Sequence, residues 1–150
     1  MSGPSWKSGD RVKPRKVKPK PKLDVAVGVA LTGALVISVG GFEPPSRNAC
    51  DKMHWSRRHK LTKDIELMLV SRGQLPSFAG PVTIVYSRTC HGAELDEDNL
   101  AGSFKAVGDA LVRLNVIEDD KPKIVRLVVD QQRRGKGGPS FTLVISQRQA

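Results

Sequence analysis

Five large apolar residues, Leu100, Phe104, Val107, Leu111 and Leu114, recur at spacings of 4, 3, 4 and 3. At about 100° per residue they fall on one narrow stripe, which predicts an amphipathic helix starting at an N-cap Asp98. A helix with one apolar stripe needs a second surface to bury it against. Strand-like segments supply that surface. Residues 34–40 read as a buried strand followed by the turn Pro44-Pro45-Ser46, and residues 81–88 contain the β-branched run Val82-Thr-Ile-Val-Tyr-Ser. Residues 124–130 alternate apolar and polar. Residues 131–139 read as a basic, Gly-rich hairpin tip, with residues 141–146 returning as the partner strand. A second helix is expected over residues 51–71, where Leu61, Ile65 and Met68 stand at helical spacing and Gly73 offers a C-cap. The order strand, helix, strand, helix, strand, strand predicts an α+β domain: a small mixed β-sheet with two packed helices.

The length of 150 residues allows one such domain. Its net charge of +10 is unevenly placed. Residues 1–23 hold eight basic groups and one acid; the other residues hold 17 basic and 14 acidic groups. Lysine alternates with proline from Lys18 to Lys22, which excludes a helix. Residues 1–23 are therefore expected to be a disordered basic arm, and residues 24–150 the folded domain. Such an arm suits a polyanion, nucleic acid above all.

Several classes fall away. Two cysteines cannot staple a disulfide scaffold of this size. The apolar stretch 25–40 is diluted by Gly28, Thr32, Gly33, Ser38 and Gly40 and is shorter than the ~20 residues of a membrane span. A membrane partner is therefore not expected. Cys50, His54, His59, Cys90 and His91 match no usual closed zinc spacing. An EF-hand starting at Asp96 would need glycine at its sixth position, and none stands there. An Asp-x-Asp glycosyltransferase usually needs a larger nucleotide-binding domain than this chain provides.

Half of the 14 acids outside the arm lie in two clusters, one at each end of the striped helix. Glu94, Asp96, Glu97 and Asp98 form the first; Glu118, Asp119 and Asp120 form the second. Carboxylates crowded in a basic protein repel one another unless something offsets them. A hard divalent cation is one such partner, and Mg2+ usually takes a few carboxylates and leaves room for water and phosphate. On an extended segment Asp96 and Asp98 point to one side and can face one ion. A helix cap on a solvated acidic loop is the plain alternative. Lys105 stands two turns beyond Asp98 and leans back toward it, or pairs with Asp109 at i,i+4.

The run Asp96-x-Asp98-Asn99-Leu100, then Lys105-x-x-x-Asp109-Ala110-Leu111, then Asp119-Asp120 before a strand, resembles the RusA family of phage- and prophage-type Holliday junction resolvases. Phe42-Glu-Pro-Pro-Ser-Arg-Asn48 is similar to the family's Pro-Pro-Ser-x-Asn segment, and Lys136-Gly-Gly before the last strand also fits. The likeness covers roughly residues 34–146. Between Asn-Leu and the lysine this chain carries three residues more than the best-known member.

The resemblance implies a homodimeric, Mg2+-dependent endonuclease of DNA recombination and repair, with Mn2+ as a possible substitute. It would act on four-way or branched DNA in the cytoplasm of a bacterial or phage-infected cell. Carried over, the catalytic residues are Asp96, Asp98, Asp120 and Lys105. The metal ligands are Asp96, Asp98 and Asp120, with Asp119 as the near alternative to Asp120. Arg57, Arg58, Lys60, Lys63, Arg133, Arg134 and Lys136 are candidates for phosphate contacts, which position DNA without reading its sequence. A rival from another class is a non-catalytic basic protein that binds branched or single-stranded nucleic acid.

Overall fold

The computed structural model describes residues 22–90, 92–133 and 138–149. In chain order they form β1 (Asp24–Val29), β2 (Leu35–Gly40), α1 (Arg47–Asp51), α2 (Trp55–Val70) and β3 (Val82–Cys90). There follow α3 (Glu97–Ser103), α4 (Lys105–Arg113), β4 (Val125–Arg133) and β5 (Ser140–Gln147). The five strands make one mixed sheet in the order β1-β2-β5-β3-β4. The α+β class expected from the sequence is what the chain adopts.

Alternation decides which side of the sheet is covered. Leu35, Ile37 and Val39 of β2, Val82, Ile84 and Tyr86 of β3, and Phe141, Leu143 and Ile145 of β5 are all fully buried, while their neighbours are half exposed. Burying each such side chain contributes about 1.5–3 kcal/mol. The covering layer comes from the helices. Thr62, Ile65 and Leu69 of α2 and Val107, Ala110 and Leu111 of α4 are buried, and the two helices pack on each other. Arg113 of α4 is bonded to Glu66 of α2 at 2.6 Å. The striped helix therefore buries its stripe as expected.

Four expectations are corrected. The stretch before residue 34 also forms a strand: β1 pairs with β2 as a hairpin, Val29 opposite Leu35. Thr32-Gly33 lies in its turn, with Gly33 at φ +85°. The expected helix 51–71 is α2, which starts only at Trp55; a separate short helix, α1, precedes it across Lys52–His54. Ser46 caps α1 by accepting from the Ala49 amide at 3.2 Å, and His54 Nδ1 caps α2 by accepting from the Ser56 amide. The striped helix is likewise broken, at Phe104. The preceding Gly102-Ser103 pair consists of weak helix formers, and the Phe104 amide closes a tight turn on the Ala101 carbonyl at 3.2 Å.

The fourth correction is topological. β4 and β5 are not hairpin partners. β5 runs antiparallel between β2 and β3, and β4 lies parallel to β3 on the outer edge. Of the expected hairpin tip 131–139, residues 131–133 belong to β4, and residues 134–137 are outside the described residues. β3, the helices α3–α4 and β4 form a βαβ crossover, the connection a parallel pair requires.

The expected arm is outside the described residues except for Lys22 and Leu23. The Lys22 carbonyl stands 2.5 Å from where a Cβ on Gly41 would lie, and Gly41 has φ +80°. Both facts reserve that position for glycine. Among the described residues no helix is long and apolar enough to cross a membrane.

Candidate functional site

The first acidic cluster is organised by the start of α3. Asp96, not Asp98, is the N-cap. One of its carboxylate oxygens accepts from the Asn99 amide at 2.9 Å and the other from Asn99 Nδ2 at 3.1 Å. The Asn99 backbone and then side-chain hydrogen bonds hold the Asp96 carboxyl below its ordinary pKa. Asp98 sits in the first helical turn. An extended segment is therefore not what aligns the pair. Even so, Asp96 and Asp98 line one groove, together with Arg47, Asn48, Asp51 and Asn99.

Two residues not singled out by sequence hold this cluster in place. Asn99 accepts from the Asn48 amide at 3.1 Å, which ties α3 to the start of α1. Gln131 of β4 accepts from the Leu95 amide at 3.0 Å and donates back to its carbonyl. Asn99 lies inside the Asp-x-Asp-Asn motif. The contact of Gln131 depends on β4 lying beside β3, and no local pattern announces it.

The second cluster meets Lys105. Lys105 opens α4, and its Nζ lies 2.6 Å from Asp120 Oδ2 and 3.0 Å from Asp109 Oδ1. The hydrogen bond to Asp120 is the main cause of a raised lysine pKa. The ammonium thus meets Asp109 and Asp120, and it makes no ion pair with Asp98. Asp119 turns aside: one oxygen accepts from the Asp120 amide at 2.7 Å, and the other lies 3.2 Å from Lys121 Nζ. Of the two candidates for the third aspartate, Asp120 is the one on Lys105.

The return of residues 114–120 has a local cause. Asn115 adopts φ +56°, and the Val116 amide bonds to the Leu111 carbonyl at 3.0 Å. This left-handed cap ends α4 and reverses the chain, and asparagine is among the few residues that tolerate it.

The Asp96–Asp98 groove adjoins a cavity of about 670 Å³ that contains Lys105, Asp109 and Asp120. Arg47 and Asp51 border both, and they face each other at 3.8 Å. Arg47 lies over Gly102: a Cβ there would come within 2.4 Å of the Arg47 Cβ. Glycine at 102 thus allows α1 to approach α3 this closely. Sequence reading passed over Arg47, whose only signal is its place inside Pro-Pro-Ser-Arg-Asn.

The structure therefore brings Asp96 with Asp98, and Lys105 with Asp120, into two adjoining hollows. An all-oxygen donor set fits a hard divalent cation, and Mg2+ is usually held by one or two carboxylates with substrate phosphate completing its shell. Among the described residues, no three Asp, Glu, His or Cys side chains converge as a metal-binding group.

The candidate phosphate contacts are distributed along this face and beyond it. Arg57, Arg58, Lys60 and Lys63 are exposed on α2. Arg58 borders the cavity, and Lys60 is 3.6 Å from Asp64. Arg133 is exposed at the end of β4; Arg134 and Lys136 are outside the described residues, as is His91. No protein-family model matches the chain, and no curated protein matches it.

Proposed function

We propose that this chain is a Mg2+-dependent endonuclease of the RusA type that cuts four-way DNA junctions. The observation that carries the reading is the contact of Lys105 with Asp120, 15 residues away, beside a groove bordered by Asp96 and Asp98. The motif resemblance singled out these four residues together.

In this reading Asp96, Asp98 and Asp120 would hold the metal, which requires the two hollows to draw together when it binds. When bound, Mg2+ supplies polarisation of the scissile phosphate and a more acidic water. The protein's own groups do the rest. The Asn99 bonds keep Asp96 ionised and oriented. Lys105, kept protonated by Asp120, offsets negative charge that develops on the phosphate or on the leaving oxygen. Arg47 and Arg58 attract the flanking backbone. In a C2 homodimer two such sites would meet two strands of a symmetric junction.

Incubation of a synthetic four-way junction and a linear duplex, each with Mg2+ or with EDTA, tests the reading. Cutting is expected on the junction alone and only with Mg2+. Asp98→Asn should abolish cutting while junction binding is kept or tightened, because a carboxylate facing phosphate is removed. Full cutting by Asp98→Asn would overturn the assignment. Tighter binding by that variant, with no cutting by the unaltered chain, would favour a binding-only protein.

A further inference from the structure

The 670 Å³ cavity beside Lys105 is larger and more apolar than a phosphate site needs. Its walls include Leu61 of α2, Phe104 and Ala106 at the α4 start, and Val125 and Leu127 of β4. The Phe104 ring is held by Tyr86, with ring centroids 5.5 Å apart. The charged residues of the lining are three cations and three carboxylates. Lys105 is engaged with Asp109 and Asp120, and Arg47 faces Asp51. Arg58, also in the lining, forms no ion pair among the described residues. A second hollow shares Arg58, Thr62, Asp109 and Asp120 with the cavity and carries Trp55. That indole is 69% exposed.

An apolar-walled chamber with two arginines in its lining, and an exposed indole beside it, match the chemistry of a nucleotide taken out of its stack. The base has apolar faces that stack on aromatic and aliphatic side chains, and its phosphates remain outside with the arginines. We propose that this cavity receives one unstacked nucleotide of the bound DNA, and that Trp55 stacks on the adjacent base. The proposal rests on the nuclease reading for its substrate class and adds to it a base-binding site next to the carboxylate groove. Bases at the crossover of a four-way junction, or at a strand end, cost least to unstack.

The test uses a four-way junction with 2-aminopurine, a fluorescent adenine analogue, at the nucleotides flanking the crossover. The full chain is added in EDTA, so that binding is followed without cutting. Fluorescence is expected to rise on binding as the base leaves its stack. Ala101→Phe, which fills the cavity from its α3 side, should remove most of that rise and weaken binding by about tenfold, the worth of one stacked base. Trp55→Ala, an exposed change, should reduce both in the same sense. If circular dichroism shows Ala101→Phe to be misfolded, Trp55→Ala decides alone.

Junction binding, read by anisotropy, without a change in fluorescence would overturn the base site and leave the nuclease reading standing. An undiminished rise in the variants would do the same. Failure to bind any DNA would remove both.

Discussion

Lys105 shows how one side chain can be readable in role and unreadable in place. Its spacing from Asp109 predicts the i,i+4 pair that forms at 3.0 Å. Its closer partner, Asp120, depends on the reversal at Asn115 and could not be read from a helical wheel. Lys105→Ala is expected to lower kcat on junctions by about a hundredfold, the effect of losing one preorganised charge donor, with KM little altered. A kcat within threefold of the parent would remove Lys105 from the site. Tyr86, the chain's single tyrosine, gives a second prediction. Burial raises its pKa to about 12, against the hydrogen bond with Ser103 at 2.9 Å, which lowers it. The folded protein thus holds the phenolic proton over a range where the unfolded chain, at about pKa 10, releases it. Stability from this residue is full below about pH 10 and is lost as pH rises toward 12, and the raised pKa of Lys105 acts in the same direction. Tyrosinate absorbance should show a single titration late in this range. Tyr86→Phe should flatten the alkaline loss and cost about 0.5–1.5 kcal/mol for the missing hydrogen bond.

At the scale of elements, apolar period was a better guide than boundary chemistry. The stripe from Leu100 to Leu114 locates both halves of the broken helix, because burial of the stripe continues across Phe104. The cap was misplaced by two residues, since Asp96 and Asp98 both have capping side chains and only the Asn99 contacts separate them. The first strand of the stretch 25–40 is hard to separate in the sequence, because its two strands are joined by Ala30–Ala34, which leaves the apolar run nearly unbroken. Substitutions at two positions test the packing at the C-terminal end of α4. Leu111→Ala should destabilise the chain by about 2–5 kcal/mol by opening a cavity under the sheet. Asn115→Val should cost about 1–2 kcal/mol, since a β-branched residue resists positive φ, whereas Asn115→Gly should be nearly neutral. Denaturant midpoints read both. Equal midpoints for the valine and glycine variants would show that the turn at 115 does not control the end of α4.

For the whole molecule, the surplus of +10 does not describe the candidate site. Most of it belongs to residues 1–23, whereas the hollows around Arg47 and Lys105 hold five carboxylates against three cations. Removing residues 1–21 takes away seven basic groups and one acid. DNA affinity should then fall at moderate salt, and the dependence of log K on log salt should flatten by about 0.9 for each phosphate that the arm no longer neutralises. Junction cutting should persist at low salt. An unchanged slope would show that the arm does not touch DNA.

Strand order was the least legible feature of the fold. The basic, Gly-rich stretch after β4 suited a hairpin, and only the long-range pairing of β5 with both β2 and β3 excludes one. That placement also bears on how the chain acquires its shape. The β1–β2 hairpin and the β3–α3–α4–β4 unit are each built from near neighbours in sequence, yet they share no strand edge until β5 is inserted between them. A nascent chain emerging in order would hold the β1–β2 half-sheet with an open inner edge through most of its synthesis, and both half-sheets open between β4 and β5. Closure would come last, as a single long-range event, which makes folding slow and leaves the waiting halves exposed to mispairing with another chain.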